Sequence, residues 1–393
     1  MEKTKPTMVF MTSRFPFPLE KGDKLRAFNL IKGFSSRFNV ELISLSDEHI
    51  ENTWVEELKP FTTHIHIFRL KFINRYLRLM LCWLTNQPFQ VAYFTSFLYQ
   101  NRIRKILNEI NPDHIFCQMI RPAEYVKNYH RCTKTLDFMD ALSIGMERRA
   151  EKAPWFSRWV FRMEAMRLKE YEQRIFNYFE FQIMISKQDV NYIVHPDQKK
   201  MIVVPNGIDT DYFSPQNMEL KPFDLVFVGN LSYAPNIDAM LWFSKNVLEH
   251  HPEWQMLIAG ANPSQQLVHL GKQHTNITLL GWQPDIRKAY ASGKIFVAPM
   301  QIGTGMQNKL LEAMSMEIPC ITTPLASDAL ESSHRDSLMI AKNSKEIEAC
   351  ILELLNDPEM AQQMAKRGRN FVKTKFSWQQ SLTQLESLFT HPR

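Results

Sequence analysis

The chain has 393 residues, 45% hydrophobic and 22% charged, with a formal net charge of +6. That length supports a large core shared between two domains, and the best candidates for a membrane span, such as LRLMLCWL at residues 77–84, are far below the roughly 20 residues a bilayer requires. Residues 1–18 lack a small-residue cleavage site and do not read as a signal peptide, while five scattered cysteines without a CxxC pair indicate a reducing, cytoplasmic setting and no structural zinc.

In chain order, TMVFMTS (7–13) predicts a strand, GDKLRAFNLIKGFSSR (22–37) a helix, and VELISLS (40–46) and HIHIFRL (64–70) two more strands, with His64 and His66 alternating as packing residues. KFINRYLRLMLCWLT (71–85) predicts a helix with a basic edge and a broad apolar face. HIFCQMI (114–120), TKTLDFMD (133–140) and EFQIMIS (180–186) are further strands, and another helix leads into MIVVPNGID (201–209). The turn-rich stretch around residues 203–216 holds Pro205, Gly207 and Pro215 and marks the break between domains.

Beyond it the alternation is almost schematic: LVFVGN (225–230), the helix IDAMLWFSKNVLEHH, WQMLIAG, QQLVHLGKQH, ITLLG, DIRKAYAS, IFVAPM (295–300), a helix starting at about Met306, and PCITT (319–323). Short apolar runs separated by helices imply parallel strands covered on both faces. The expected fold is therefore α/β, two doubly wound Rossmann-like domains facing a cleft: residues 1–204, residues 205–376, and a last helix in 377–393 packing back on the first domain. Ligands of such sheets bind outside the carboxyl ends of the strands.

One strand end is rich in chemistry. After IFVAPM come Gly303, Thr304 and Gly305, then a helix whose first-turn N–H groups and dipole attract an anion. Lys309 and Glu312 are three residues apart and share a face, suited to neutralising a phosphate and accepting hydrogen bonds from sugar or ribose hydroxyls. An isolated KxxE is more often a surface ion pair; the glycine turn at a strand end favours the ligand reading.

These residues carry a resemblance. GTGMQNKLLEAMSMEIPCITT resembles the donor-site segment of GT-B glycosyltransferases of family 4, VVPNGIDTDYFSP resembles their interdomain crossover, and FVGNLSYAPNIDAMLWF resembles the strand that opens their C-terminal domain. SRFPFPLEKGDKLRAFNLIKGFSSRFNVELISL is similar to sugar transferases of bacterial exopolysaccharide clusters. The resemblance implies metal-independent, retaining transfer from a nucleotide-diphosphate sugar, a co-substrate rather than a cofactor, to the hydroxyl of a glycan or lipid-linked acceptor. It implies that Glu312 binds the donor ribose, that Gly303, Gly305, Met306, Gln307 and Lys309 receive the diphosphate, and that Gly22 admits close backbone approach. It also exposes departures: Asn230 stands where the family has Arg, Thr304 replaces the first Glu of the motif, leaving a hydroxyl for the donor sugar but no negative charge, and Glu317 stands where glycine is frequent.

Asp140 closes a strand at the same kind of edge, where a carboxylate can orient an acceptor hydroxyl or cap the next helix. Asp209-Thr210-Asp211 spells a metal-diphosphate motif of another fold, but after Pro-Asn-Gly its aspartates read as turn formers. Between Glu57 and Glu109 there is no acidic residue, and Arg69, Lys71, Arg75 and Arg78 gather in one segment, as expected either of peripheral contact with an anionic membrane at its inner face or of a helix whose apolar face is core while its arginines snorkel to solvent. No nucleic-acid module accompanies this patch. Two other readings use the same fold: a nucleotide-sugar epimerase, and a nucleotide-sugar-binding protein without catalysis.

Overall fold

The computed structural model describes residues 5–19, 21–216, 221–302, 307–330 and 334–390, with the side chains of 73–77, 84, 152, 329 and 390 outside the description. The chain forms two compact α/β units, Met1–Pro205 with Ser381–Arg393, and Asn206–Gln380.

In the first unit the described strands are β1 (Thr7–Thr12), β2 (Asn39–Ser46), β3 (His64–Arg69), β4 (His114–Gln118), β5 (Thr133–Met139), β6 (Phe181–Met184) and β7 (Ile202–Val203), ordered β3-β2-β1-β4-β5-β6-β7. Every pairing is parallel, with Thr7 opposite Asn39 and Met8 opposite His114. β1 from Met8 onward and the whole of β4 are buried, with continuous apolar centres (MVFM and IFC) because helices cover both faces of the sheet, so alternation gives no energetic advantage. β3 lies at the edge. There His64 is exposed and bonds Glu41 at 2.9 Å, and His66 lies 3.6 Å from the same carboxylate, so both histidines gather at an edge carboxylate and do not serve the packing expected of them.

The C-terminal helix Trp378–Thr390 returns to this unit. Phe389 packs on Phe34, Phe38 and His114 with ring centroids 5.7, 5.6 and 4.2 Å away, and Glu386 bonds Arg37 at 2.8 Å. Gly33 permits the approach, since a Cβ there would lie 2.1 Å from Leu382 Cδ1.

The second unit's strands are β8 (Phe223–Val228), β9 (Met256–Ala259), β10 (Ile277–Leu280), β11 (Gly293–Ala298), β12 (Cys320–Thr322) and β13 (Met339–Ile340), ordered β10-β9-β8-β11-β12-β13 and again parallel. In both sheets the chain runs outward from a central strand, returns to the middle and runs outward the other way. The order reverses between β1 and β4 and between β8 and β11, which are the topological switch points where sheets of this kind bind ligands.

Candidate functional site

At the second switch point, β8 ends at Val228 and the chain turns through Gly229 and Asn230. The backbone is very close here: Gly260, after β9, has φ +148°, and a Cβ on it would lie 1.8 Å from the Gly229 carbonyl oxygen. The Asn230 side-chain oxygen accepts from the Ser232 amide at 3.0 Å and the Ser232 hydroxyl at 2.7 Å. Its amide nitrogen is therefore what it can offer a ligand. Asn236 donates to the Asn230 carbonyl at 2.8 Å, while its own side-chain oxygen is buried without a partner among the described residues.

The helix after β11 runs Asn308–Ser315, with Gln307 at its N-cap, two residues later than the expected start. Gly303, Thr304, Gly305 and Met306 lie outside the described residues. Lys309 and Glu312 do share a face. The Lys309 Nζ donates to Gln307 Oε1 at 2.7 Å, lies 4.0 Å from the Met300 sulfur and 5.6 Å from the centre of the Phe227 ring. Its stem passes over the turn after β8, with Cε 3.2 Å from where a Gly229 Cβ would stand. Burial among these neutral neighbours lowers the ammonium pKa to about 8, against the opposing pull of Glu312.

Tyr290, fully buried on the helix Ile286–Ala291, donates its hydroxyl to Glu312 Oε2 at 2.6 Å. Burial raises the Glu312 pKa, and the Tyr290 bond and Lys309 oppose that rise. The two charges are thus held separately, one by an amide and one by a phenol, on the first turns of a helix at the switch point. The pair can neutralise an oxyanion and accept hydrogen bonds from adjacent hydroxyls, and it is not the solvated ion pair of a surface helix.

The helix ends in a Schellman motif: Ile318 N–H bonds the Ala313 carbonyl and Glu317 N–H that of Met314, both at 3.1 Å, with Glu317 at φ +55°. The left-handed residue explains why glycine suits this position; here Glu317 lies 3.7 Å from Arg369, which also holds carbonyls of Ser315, Phe213 and Thr210. Asp209 accepts from the amides of Asp211 and Tyr212 at 3.2 and 2.9 Å, a turn-forming role.

In the first unit, Gly22 is the first residue of the helix Gly22–Phe34, and a Cβ built on it meets nothing within 4 Å, so packing inside the unit gives no reason for glycine. Asp137 is fully buried and bonds Arg26 Nε at 2.6 Å and the Met139 amide at 3.1 Å, which makes it a structural group. Asp140 is different. The N-cap of the helix Leu142–Lys152 is Ala141, not Asp140, because that helix start is served by other carboxylates: Asp189 takes the Ala141 amide, and Glu172 takes the Leu142 and Ser143 amides. Among the described residues the half-buried Asp140 carboxylate accepts no side-chain hydrogen bond. Burial, then repulsion by Asp189 and Asp137, lifts its pKa to about 7, with Arg26 opposing.

The helix Phe72–Thr85 forms as expected. Arg69 and Lys71 are exposed, and the Arg75 side chain is outside the description. Arg78 departs from the expected free basic edge: its guanidinium packs 4.0 Å from the centre of the Phe97 ring, its Nε is buried without a partner among the described residues, and burial lowers its pKa. Tyr290 and Asn236 were missed by sequence reasoning: Tyr290 stands in no motif and reaches the site only through tertiary packing, and Asn236, although inside FVGNLSYAPNIDAMLWF, is a neutral residue placed by its bond to the Asn230 carbonyl.

Residues 222–357 match the family described as Glycosyl transferases group 1. A 44.6 kDa protein of the cps region of Klebsiella pneumoniae is 22% identical over 358 residues, 86% of this chain and 87% of its own length. An Escherichia coli UDP-Gal:alpha-D-GlcNAc-diphosphoundecaprenol alpha-1,3-galactosyltransferase is 23% identical over 215 residues, about half of either chain (50% and 55%). Sucrose-phosphate synthase from Thermosynechococcus elongatus has the same fold, with a TM-score of 0.73 over 98% of both chains at 13% identity.

Proposed function

We propose that the chain is a GT-B glycosyltransferase of the exopolysaccharide type, a reading supported by the family match of residues 222–357 and by the cps-region relative, and that it moves a hexosyl group from a UDP-sugar to a hydroxyl of a lipid-linked glycan acceptor, with retention and without a metal. The observation that carries this reading is the Lys309–Glu312 pair on the helix that starts at the switch point of the second sheet. Lys309 and the first-turn amides receive the diphosphate, and Glu312, braced by Tyr290, accepts the ribose hydroxyls. Thr304 offers a hydroxyl to the donor sugar. Asp140 receives the acceptor hydroxyl and its proton as the C–O bond to UDP breaks and the new glycosidic C–O bond forms. The E. coli relative, which uses a UDP-sugar and a diphospholipid acceptor, supports the choice of substrate class. The exposed Arg69 and Lys71 fit peripheral contact with anionic lipid at the inner face of the membrane.

The test is acceptor-dependent release of UDP from a panel of UDP-sugars, with cell lipids as acceptor and product analysis. UDP binding without any release marks a binding protein, and conversion of the sugar without an acceptor marks an epimerase. Excess chelator is expected to leave the transfer rate unchanged; a loss restored by added Mg²⁺ would overturn the metal-free assignment. Glu312→Gln is expected to weaken UDP binding by about 1.5 kcal/mol, roughly tenfold, since an amide forms weaker bonds to vicinal hydroxyls. Titration calorimetry measures this directly, and an unchanged affinity removes Glu312 from the donor site.

A further inference from the structure

We infer that the first unit carries an aromatic docking surface for an anionic lipid bilayer, formed where the start of the helix Trp155–Phe176 meets the helix Phe72–Thr85. On the former, Trp155 is 84%, Phe156 64% and Trp159 54% exposed; on the latter, Met80 is 70% and Trp83 53% exposed. The rings of Trp83 and Trp159 lie 6.0 Å apart, so the two helices present one surface. Single exposed apolar residues are ordinary, but five large ones gathered where two helices touch are not.

Charge identifies the occupant. Residues 58–108 hold eight Lys and Arg and no acid, and between Glu151 and Glu164 stand Lys152, Arg158 and Arg162, again with no acid. Trp159 has the exposed Arg162 within one helical turn, while Arg158 turns back to the Ala153 carbonyl at 3.3 Å. The buried centre of a protein–protein interface is depleted of charge, whereas Trp beside Arg suits the headgroup layer, where indoles settle and guanidinium groups meet phosphates. Beneath the patch, Arg167 lies 6.0 Å from the centre of the Trp83 ring and 5.2 Å from that of Phe89, supporting the rings from inside. Trp155 and Phe156 occupy the first two positions after the N-cap Pro154, so the rings project from a helix end as a wedge. This surface adds apolar insertion, insensitive to salt, to the salt-sensitive attraction of the Arg69–Lys71 region, and it stands independently of the donor chemistry.

The test is co-sedimentation with vesicles of phosphatidylcholine and phosphatidylglycerol, together with quenching of tryptophan fluorescence by brominated acyl chains. The double variant Trp155→Ser, Phe156→Ser is expected to lose at least about tenfold in partitioning, at low and at high salt, and most of the quenching. Trp155→Ser alone, at the most exposed position, gives an intermediate loss and serves if the double variant does not fold. Partitioning equal to the parent's, or a parent that brominated lipid does not quench, overturns the assignment. It is also overturned if the variant binds vesicles normally but changes from dimer to monomer in sedimentation velocity, which would make the surface a contact between copies. UDP titration of the same proteins keeps the two readings apart: a parent that binds vesicles but not UDP loses the transferase reading only.

Discussion

Lys309→Ala is expected to lower affinity for UDP by about one to two orders of magnitude while leaving affinity for uridine nearly unchanged. The ammonium has an amide, a thioether and an aromatic ring around it, so an incoming diphosphate meets a cation that water screens poorly. A charge-assisted bond of this kind contributes about 1.5–3 kcal/mol, and 1.4 kcal/mol is a factor of ten. The pKa of about 8 adds a signature. In the free protein the charge is lost as pH rises through 8, so UDP affinity falls above that pH in the parent and stays flat in the variant. Folding stability moves the other way: below about 8 the buried ammonium costs the native state, and stability rises as pH climbs from about 8 toward the unfolded lysine value. Calorimetry with UDP and uridine at two pH values checks all of this, and equal losses for both ligands would make Lys309 structural.

Asp140→Asn should reduce transfer by about a hundredfold or more and leave UDP binding intact, because a positioned proton acceptor contributes roughly 10²–10⁴ in rate. The active form is the carboxylate, so the parent's rate rises as pH passes about 7, and the variant lacks that limb. A structural role predicts something else. With its pKa raised from the ordinary aspartate value, Asp140 withholds stability progressively as pH rises from about 4 to 7. Asn removes a charge held close to Asp137 and Asp189, and the thermal midpoint at pH 8 should hold or rise while activity collapses. A fall in midpoint matching the fall in activity would place Asp140 among the groups that hold the fold.

The second unit was readable because its strands are buried on both faces: LVFV and IFVA are continuous apolar runs that became β8 and β11 at the same place. The shared face of Lys309 and Glu312 was readable for a similar reason, since helical spacing fixes it without knowledge of the fold. What was not readable depends on contacts between distant elements. Tyr290 is one apolar-looking residue in DIRKAYAS until the sheet brings it to Glu312. Asp140 has the composition of a cap, and only Asp189 and Glu172, 49 and 32 residues further on, relieve it of that work. The helix Trp155–Phe176 is hard to read in the sequence because its first turns put rings into solvent, which weakens the apolar periodicity by which a helix is recognised. For Arg78 the sequence leaves packing and solvent both open, since long basic side chains satisfy both patterns, and the contact with Phe97 is visible only in the fold.

The return of the helix Trp378–Thr390 to the first unit has a consequence during protein synthesis. Domains commonly fold in the order in which they leave the ribosome, but here the ring cluster of Phe34 and Phe38 lacks Phe389 until more than 350 further residues have been translated. Through all that time the groove beside Gly33, shaped to take Leu382, stands open to other apolar chains. Nascent chains stalled before residue 380 should therefore expose the first unit to chaperones and proteases, whatever the state of the second.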